Sequence, residues 1–419
     1  MMNCGESSVR TQPSKMRHPE PGSGVHVLFI VENNTVPSDI RVWREANTAK
    51  QAGYEVSVIS PKSKHYSKRY EVIEGIKIYR HPALNDKGGK LNQIIEYANA
   101  FFWEAILCVR LFFKNRFQVI HGANPPDHLF LLAGIFRIFG VKYIFDHHDL
   151  SPELFQCKFN RKGHLFYLLR LMEKLSCLSA DVVVSTNESY KRHIVDNHNV
   201  LPGKIYIVRN DPELPDQRET GGPKRNEDDC VTRLLYLGSI NTQDSVDVLV
   251  RVMHVLVNEY SDKDVRCLVV GDGDSLSQTR ALCTELGMDP YIDFTGYIND
   301  RSQLKEYVEE ADICLETALD SEVNRKSTFI KVMEYMAAGK SIVAFDLDET
   351  RFTVGDSAIL VQPGDLQAYA KAIDRLIKEP STRKELGDRG RKRIIEELNW
   401  GKASRRLLSA YESLFEPVP

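Results

Sequence analysis

Short apolar runs recur along this chain, bounded by polar residues and separated by stretches whose apolar positions lie three and four apart. The runs read as buried strands and the spaced stretches as helices. Val25–Val31 (VHVLFIV) is the first predicted strand, followed by a helix over Ile40–Gly53 and a strand over Glu55–Ser60. Ile76–Arg80 follows as a strand and Leu91–Lys114 as a long apolar helix. Further strands fall at Phe117–His121, Lys142–Asp146 and Asp181–Ser185, with helices between them. Strands that alternate with helices predict a parallel, doubly wound sheet.

The pattern then restarts. Ile205–Arg209 leads into a stretch at Asn210–Asp229 rich in Pro, Gly and acidic residues, a linker by composition. Strands are predicted at Arg233–Leu237, Arg266–Val270, Ile292–Thr295, Ile313–Glu316 and Ser341–Phe345. Helices are predicted at 245–259, 274–286, 301–310 and 327–338, and a helical tail over Asp365–Phe415. The fold class is therefore α/β, with two doubly wound Rossmann-like domains facing a central cleft. The predicted divisions are a disordered tail at 1–24, an N-terminal domain at 25–207 and a C-terminal domain at 208–395. A last helix at 396–419 is expected to pack back on the N-terminal domain.

Composition narrows the classes. The 419 residues are 42% apolar and 27% charged, ordinary for a globular protein with ample core. A net charge of −3 gives no ground for a nucleic-acid partner. The cysteines lack CxxC spacing, which argues against a zinc or redox motif and fits a reducing cytoplasm. Residues 1–24 contain no apolar segment, so a secretory signal is not expected.

Candidate chemistry gathers at the carboxyl ends of the strands. The stretch NRKSTFIKVMEYMAAGKSIVAFDLDE (324–349) runs from a polar loop into an amphipathic helix. Ser327 or Thr328 is expected to cap that helix and leave first-turn amides facing an anion, with Arg325 and Lys326 beside them. Glu334, about two turns on, can accept hydrogen bonds from vicinal hydroxyls. Phosphate at one end and diol at the other describe a nucleotide. Gly271, in VGDGD, and Gly238 with Ser239, in GSINTQD, each follow a strand; both segments read equally as phosphate-facing loops or as plain strand-to-helix turns. The spacing is not GxGxxG, so a dinucleotide is not supported.

Phe145–Leu150 (FDHHDL) places two histidines between two aspartates. The readings are a metal site, a His that binds substrate hydroxyls and is oriented by Asp149, or a structural His. Asn33, Asn34, Asp39 and Arg41 follow the first strand, and His121, Asn124 and Asp127 follow another. Asp39 is read as a helix cap and His121 as structural. Arg41, Asn124 and Asp127 are read as acceptor contacts. The aromatic helix Tyr97–Phe117, ending in Arg110, Lys114 and Arg116, is read as buried or as a membrane-interfacial face.

With these parts in place, the chain resembles family-4 retaining glycosyltransferases of the GT-B fold, in particular the bacterial branch that builds surface polysaccharides. The resemblance spans about 25–415 and rests on VEN…VPSDIRVWREA, EGIKIYRHP, FQVIHGANPPD, FDHHDLSPELF, ADVVVSTNESY and KSTFIKVMEYMAAGKSIVAFDLDETR. It implies transfer of a sugar from a nucleotide sugar, without metal or other cofactor, to a saccharide or lipid-linked acceptor at the inner membrane surface. By position, Glu334 resembles the ribose-binding carboxylate and His148 the histidine that contacts the donor sugar. The loop with Asn33 and Asn34 resembles the one that approaches diphosphate and acceptor, and Tyr297 and Ile298 resemble contacts to the base. The family's second Glu, eight positions before the ribose Glu, is Lys326 here, and its diphosphate-binding Arg and Lys are Ser239 and Asp244. Positive charge is therefore expected to have moved to Arg325 and Lys326.

The mechanism this implies places Arg325, Lys326, a helix end at 327–328 and amides of 238–241 around the departing diphosphate. His148 would orient the sugar and support positive character at its anomeric carbon. The alternatives are an inactive partner subunit of the same fold and a nucleotide-sugar 2-epimerase.

Overall fold

A computed structural model describes residues 24–83, 90–159, 163–214, 231–260 and 264–415. The predicted N-terminal tail, apart from Gly24, and the linker beyond Leu214 lie outside the described residues. The first sheet contains β1 His26–Ile30, β2 Glu55–Pro61, β3 Tyr70–Ile73, β4 Ile76–His81, β5 Val119–Ala123, β6 Lys142–His147, β7 Val182–Ser185 and β8 Ile205–Ile207. The second contains β9 Thr232–Leu237, β10 Val265–Val270, β11 Ile292–Gly296, β12 Ile313–Glu316, β13 Ser341–Phe345 and β14 Ile359–Val361.

Strand order is 3-4-2-1-5-6-7-8 in the first sheet and 11-10-9-12-13-14 in the second. Every pairing is parallel except β3 with β4. Helices cover both faces, so β1, β5 and β13 are buried along their whole length, and β1 and β13 read as apolar runs with one polar residue at the start. Strand order reverses between β1 and β5 and between β9 and β12. Open parallel sheets bind ligands at such reversals, outside the carboxyl ends of the strands.

Two strands were not legible in the pattern. β3 is an edge strand with no fully buried residue, and it meets β4 through a two-residue turn with Glu74 and Gly75 at φ 49° and 78°. β14 is only three residues long.

The helix Trp400–Ser413 crosses back to the first sheet. Ala403, Leu407, Ala410 and Tyr411 are buried in the same core as Val27, Phe29 and Val58. Trp400 Nε1 donates to Thr48 Oγ1 (3.2 Å), and the Tyr411 hydroxyl lies 2.6 Å from His121 Nδ1. The first domain thus takes one wall of its core from the end of the chain. Leu407 is fully buried there, so Leu407→Ala should destabilise the first domain by about 3 kcal/mol. A urea titration followed by tryptophan fluorescence should show the lower midpoint.

Candidate functional site

The first lobe builds its part of the site around a buried ion pair. Arg41, in the first turn of the helix Ile40–Gln51, donates to both carboxylate oxygens of Asp146 at the end of β6 (2.8 and 2.6 Å). Its remaining nitrogen reaches Val208 O (3.0 Å) and Asn210 Oδ1 (2.6 Å), and Glu45 lies one turn on at 3.1 Å. The guanidinium expected to reach an acceptor is therefore occupied inside the protein. Asp39 caps this helix, as its position suggested, by accepting from Val42 N.

His148 Nδ1 lies 3.1 Å from Asp146 Oδ2. The orienting carboxylate is thus Asp146, not Asp149. Burial alone would lower the His148 pKa, but Asp146 outweighs it and, with Asp149, raises it to about 9. At neutral pH the ring carries both protons, and its free Nε2–H can donate but not accept. That suits a hydrogen bond to a sugar hydroxyl. It does not suit the support of positive charge at an anomeric carbon that was expected of it.

Asn124 fixes the turn that carries His148. Its Oδ1 accepts from the amides of His148 (2.8 Å) and Asp149 (3.1 Å), and its Nδ2 donates to Asp127 Oδ1 (3.0 Å) and Asp149 O (2.7 Å). Asn124 and Asp127 are both buried, so they act as a latch beneath the turn and not as the exposed acceptor contacts expected. Asn33 and Asn34 are exposed on the loop after β1, and Asp149 is half-buried. His121 is buried and stacked on Phe29, a structural position.

In the second lobe the glycines serve packing. A Cβ on Gly271 would lie 1.8 Å from Gly238 O, and one on Gly273 would lie 2.5 Å from Ile240 O. The amides of Gly238, Ile240 and Asn241 donate to Val270 O, Asp272 O and Asp244 Oδ2. Three of the four amides at 238–241 are thus committed within the fold, and the proposed cradle there is not formed. Ser239 is exposed at the tip of this turn. A cation that sequence reasoning missed lies against it: Lys331 Cε would meet a Gly238 Cβ at 2.8 Å. Lys331 Nζ donates to the Tyr236 hydroxyl (2.9 Å) and pairs with Glu316 (2.9 Å). Its only signal in the sequence was a lysine on the apolar face of a predicted helix.

Residues 325–328 lie at the junction of the lobes. Asn187 Nδ2 donates to Lys326 O (2.7 Å) and Thr328 Oγ1 (3.0 Å), and Tyr190 lies against Ser327. Arg209 joins Thr328, Thr353 and Glu349. Arg325 is exposed and paired with Asp320, while Lys326 meets Glu322 (3.0 Å) and His193 Nδ1 (3.2 Å) of the other lobe. Neither Ser327 nor Thr328 caps the next helix. That helix is Ile330–Ala337, its cap position is Phe329, and no side chain caps it. Its first-turn amides are left without a side-chain acceptor, as an anion site requires.

Between the lobes lies a cleft of about 470 Å³. Ile40, Arg41, Arg44 and Asn210 line one wall, and Leu237, Arg301, Ile330 and Glu334 line the other. Glu334 opens into this space. Enclosure by the walls raises its pKa, and Arg44 and Arg301 oppose that rise. Tyr297 is exposed and Ile298 partly buried on the segment after β11.

Comparison with known proteins agrees with the two-domain fold. Residues 40–210 match the family described as Glycosyltransferase Family 4, and residues 231–379 match Glycosyl transferases group 1. An uncharacterized glycosyltransferase of Methanocaldococcus jannaschii is 22% identical over 378 residues, 87% of this chain and 91% of that one. Sucrose-phosphate synthase from Thermosynechococcus elongatus superposes with a TM-score of 0.73 at 18% identity, over 93% of this chain and 99% of its own. Anabaena HepE in complex with UDP-glucose gives 0.68 at 14% identity, over 93% and 99%.

The raised His148 pKa has a consequence for stability. Below pH 6.5, the ring's ordinary value, it is charged folded and unfolded, and the pair with Asp146 contributes in full. As pH rises, the unfolded chain gives up the proton first, so the contribution declines and is gone above about pH 9. An NMR titration should place His148 near that value. In Asp146→Asn the midpoint should fall by more than one pH unit.

Proposed function

The chain is a glycosyltransferase of the GT-B fold, and we propose that it moves a sugar from a nucleoside-diphosphate sugar to a saccharide or lipid-linked saccharide in surface polysaccharide synthesis. The reaction retains anomeric configuration and uses no metal at the diphosphate. The observation that carries this reading is Glu334, an acceptor-only carboxylate open in an interlobe cleft of about 470 Å³. In this reading it binds the ribose diol. The relation to HepE, whose complex contains UDP-glucose, supports a uridine or similar nucleotide donor.

The uncapped turn of Ile330–Ala337 faces the diphosphate in this scheme, and Lys326 and Arg325, which end the preceding helix Glu322–Lys326, add charge when they exchange their carboxylate partners for it. His148 donates from Nε2 to a hydroxyl of the donor sugar and fixes its angle. The acceptor oxygen attacks the anomeric carbon on the face from which diphosphate departs. The carbon–phosphate oxygen bond breaks, and the acceptor's proton passes to the leaving oxygen. Ser239, Gly238 and Gly271 set the floor of the donor side, and Asn33, Asn34 and Asp149 border the acceptor side.

An exposed apolar patch supports a membrane-bound acceptor. No helix among the described residues is long and apolar enough to cross a membrane. Phe113, Ile138 and Phe139 are 82%, 84% and 61% exposed, and Phe113 and Phe139 both pack on Phe112. Arg116 lies over the Phe112 ring and sets a cation at the edge of the patch. This is the character of a surface that rests on anionic lipid.

A panel of sugar nucleotides in a thermal-shift assay should contain one donor that raises the melting temperature. For that donor, Glu334→Ala should raise KM about 10- to 100-fold, the loss of hydrogen bonds to a charged group, with kcat less affected. An unchanged KM would remove Glu334 from donor binding. The protein should float with anionic vesicles, and a Phe113→Asp/Ile138→Asp double variant should remain in solution.

A further inference from the structure

Among the described residues, three clusters bring carboxylate and imidazole atoms within 4.8 Å of one another. In Glu45, His121 and Asp146, Arg41 already supplies the cation. Around Glu173, the Nε2 atoms of His147 (2.8 Å) and His198 (2.9 Å) supply the donors. Lys326 donates to His193 Nδ1 there, so the proton of that ring sits on Nε2 and not a lone pair. Both clusters are balanced from within.

The third, Glu32, Glu104 and His128, is not, and His81 adjoins it through Glu104 alone. Glu32 follows β1, His81 ends β4, His128 follows β5, and Glu104 lies midway along the helix Lys90–Lys114. The side chains of Glu32 and Glu104 are 3% and 0% exposed. Both oxygens of each carboxylate, and Nε2 of each ring, are buried without a hydrogen-bond partner among the described residues. His128 Nε2 lies 3.2 Å from Glu32 Oε2, and His81 Nε2 lies 3.9 Å from Glu104 Oε1. His81 Nδ1 faces Pro82 O at 3.1 Å. A carbonyl only accepts, so Nδ1 carries the proton. In the neutral ring the other nitrogen is then an acceptor. Its Nε2 therefore presents a lone pair towards a carboxylate. Two acceptors facing each other in a dry site repel unless a proton or a metal cation lies between them. A ring whose other nitrogen is held by a backbone carbonyl is also the usual arrangement of a metal-binding histidine.

We propose that Glu32, His81, Glu104 and His128 bind one divalent transition-metal cation, with zinc favoured by the donor set. Two imidazoles with two carboxylates suit zinc and disfavour magnesium and calcium, which take oxygen ligands. Bonds of about 2.0–2.2 Å in a tetrahedron set donors about 3.3–3.6 Å apart, between the 3.2 and 3.9 Å of the two His–Glu contacts. The ion joins three strand ends to the long helix on the acceptor side of the first lobe. It takes no part at the diphosphate, so the inference stands apart from the proposed reaction.

The test is calorimetric titration of chelator-stripped full-length protein with zinc chloride and, separately, magnesium chloride. One zinc per chain should bind, at least ~1,000-fold more tightly than magnesium. Glu104→Gln and His128→Asn should each weaken zinc at least ~100-fold, while His198→Asn, in the Glu173 cluster, leaves it unchanged. Cobalt(II) at the site should give the visible absorption of a tetrahedral complex, lost in His128→Asn. His128 is only part-buried, so that variant carries the test if Glu104→Gln does not fold. The proposal is overturned if the stripped protein binds no stoichiometric zinc, if binding survives His128→Asn, or if His198→Asn abolishes it.

Discussion

The pairing of Arg41 with Asp146 is the contact on which the site's arrangement depends. Both groups are buried, so each is stable as an ion only because the other is present, and loss of one partner would leave an uncompensated charge. The pair welds the first turn of a helix to the end of a central strand. Through Val208 and Asn210 the same guanidinium holds the segment where the chain leaves the first lobe. Asp146 then has one further task, the orientation and charging of His148. A single carboxylate thus sets helix position, exit path and the protonation of His148.

Much of the architecture was legible because parallel strands buried on both faces leave apolar runs that little else mimics. VHVLFIV and SIVAF could be read directly. The half-exposed strand Tyr70–Ile73 could not, since it shares no periodicity with its neighbours. At the site, the sequence marked the right turns and misjudged what their side chains do. Asn124, Asp127 and Arg41 were marked as polar residues at strand ends, and their hydrogen bonds turn inward. Their direction depends on contacts with residues 20 or more positions away, which spacing does not encode. Lys331 was illegible for the opposite reason. On an apolar helical face it looked like an interruption, whereas Glu316 and Tyr236 from separate strands make it a buried cation. The placement of Glu334 at the cleft was legible because it requires only an exposed position on a helix the pattern marked.

The lobes meet through polar contacts. Asn187, Tyr190 and Arg209 reach across to 326–328 and to Glu349, and the apolar cores on either side remain separate. Polar junctions of this kind resemble transient protein–protein interfaces, in which relative motion is the default. A segment held in that junction beside the uncapped helix Ile330–Ala337 is well placed to register whether the lobes are together.

The return of the last helix to the first sheet also bears on biogenesis. Domains emerging from the ribosome generally fold in the order they are made. Here the lobe synthesised first lacks the wall formed by Ala403, Leu407, Ala410 and Tyr411 until the other lobe has been translated. Translation order and completion order are therefore reversed for the first lobe, and a nascent chain halted before Trp400 would present an open hydrophobic groove to chaperones.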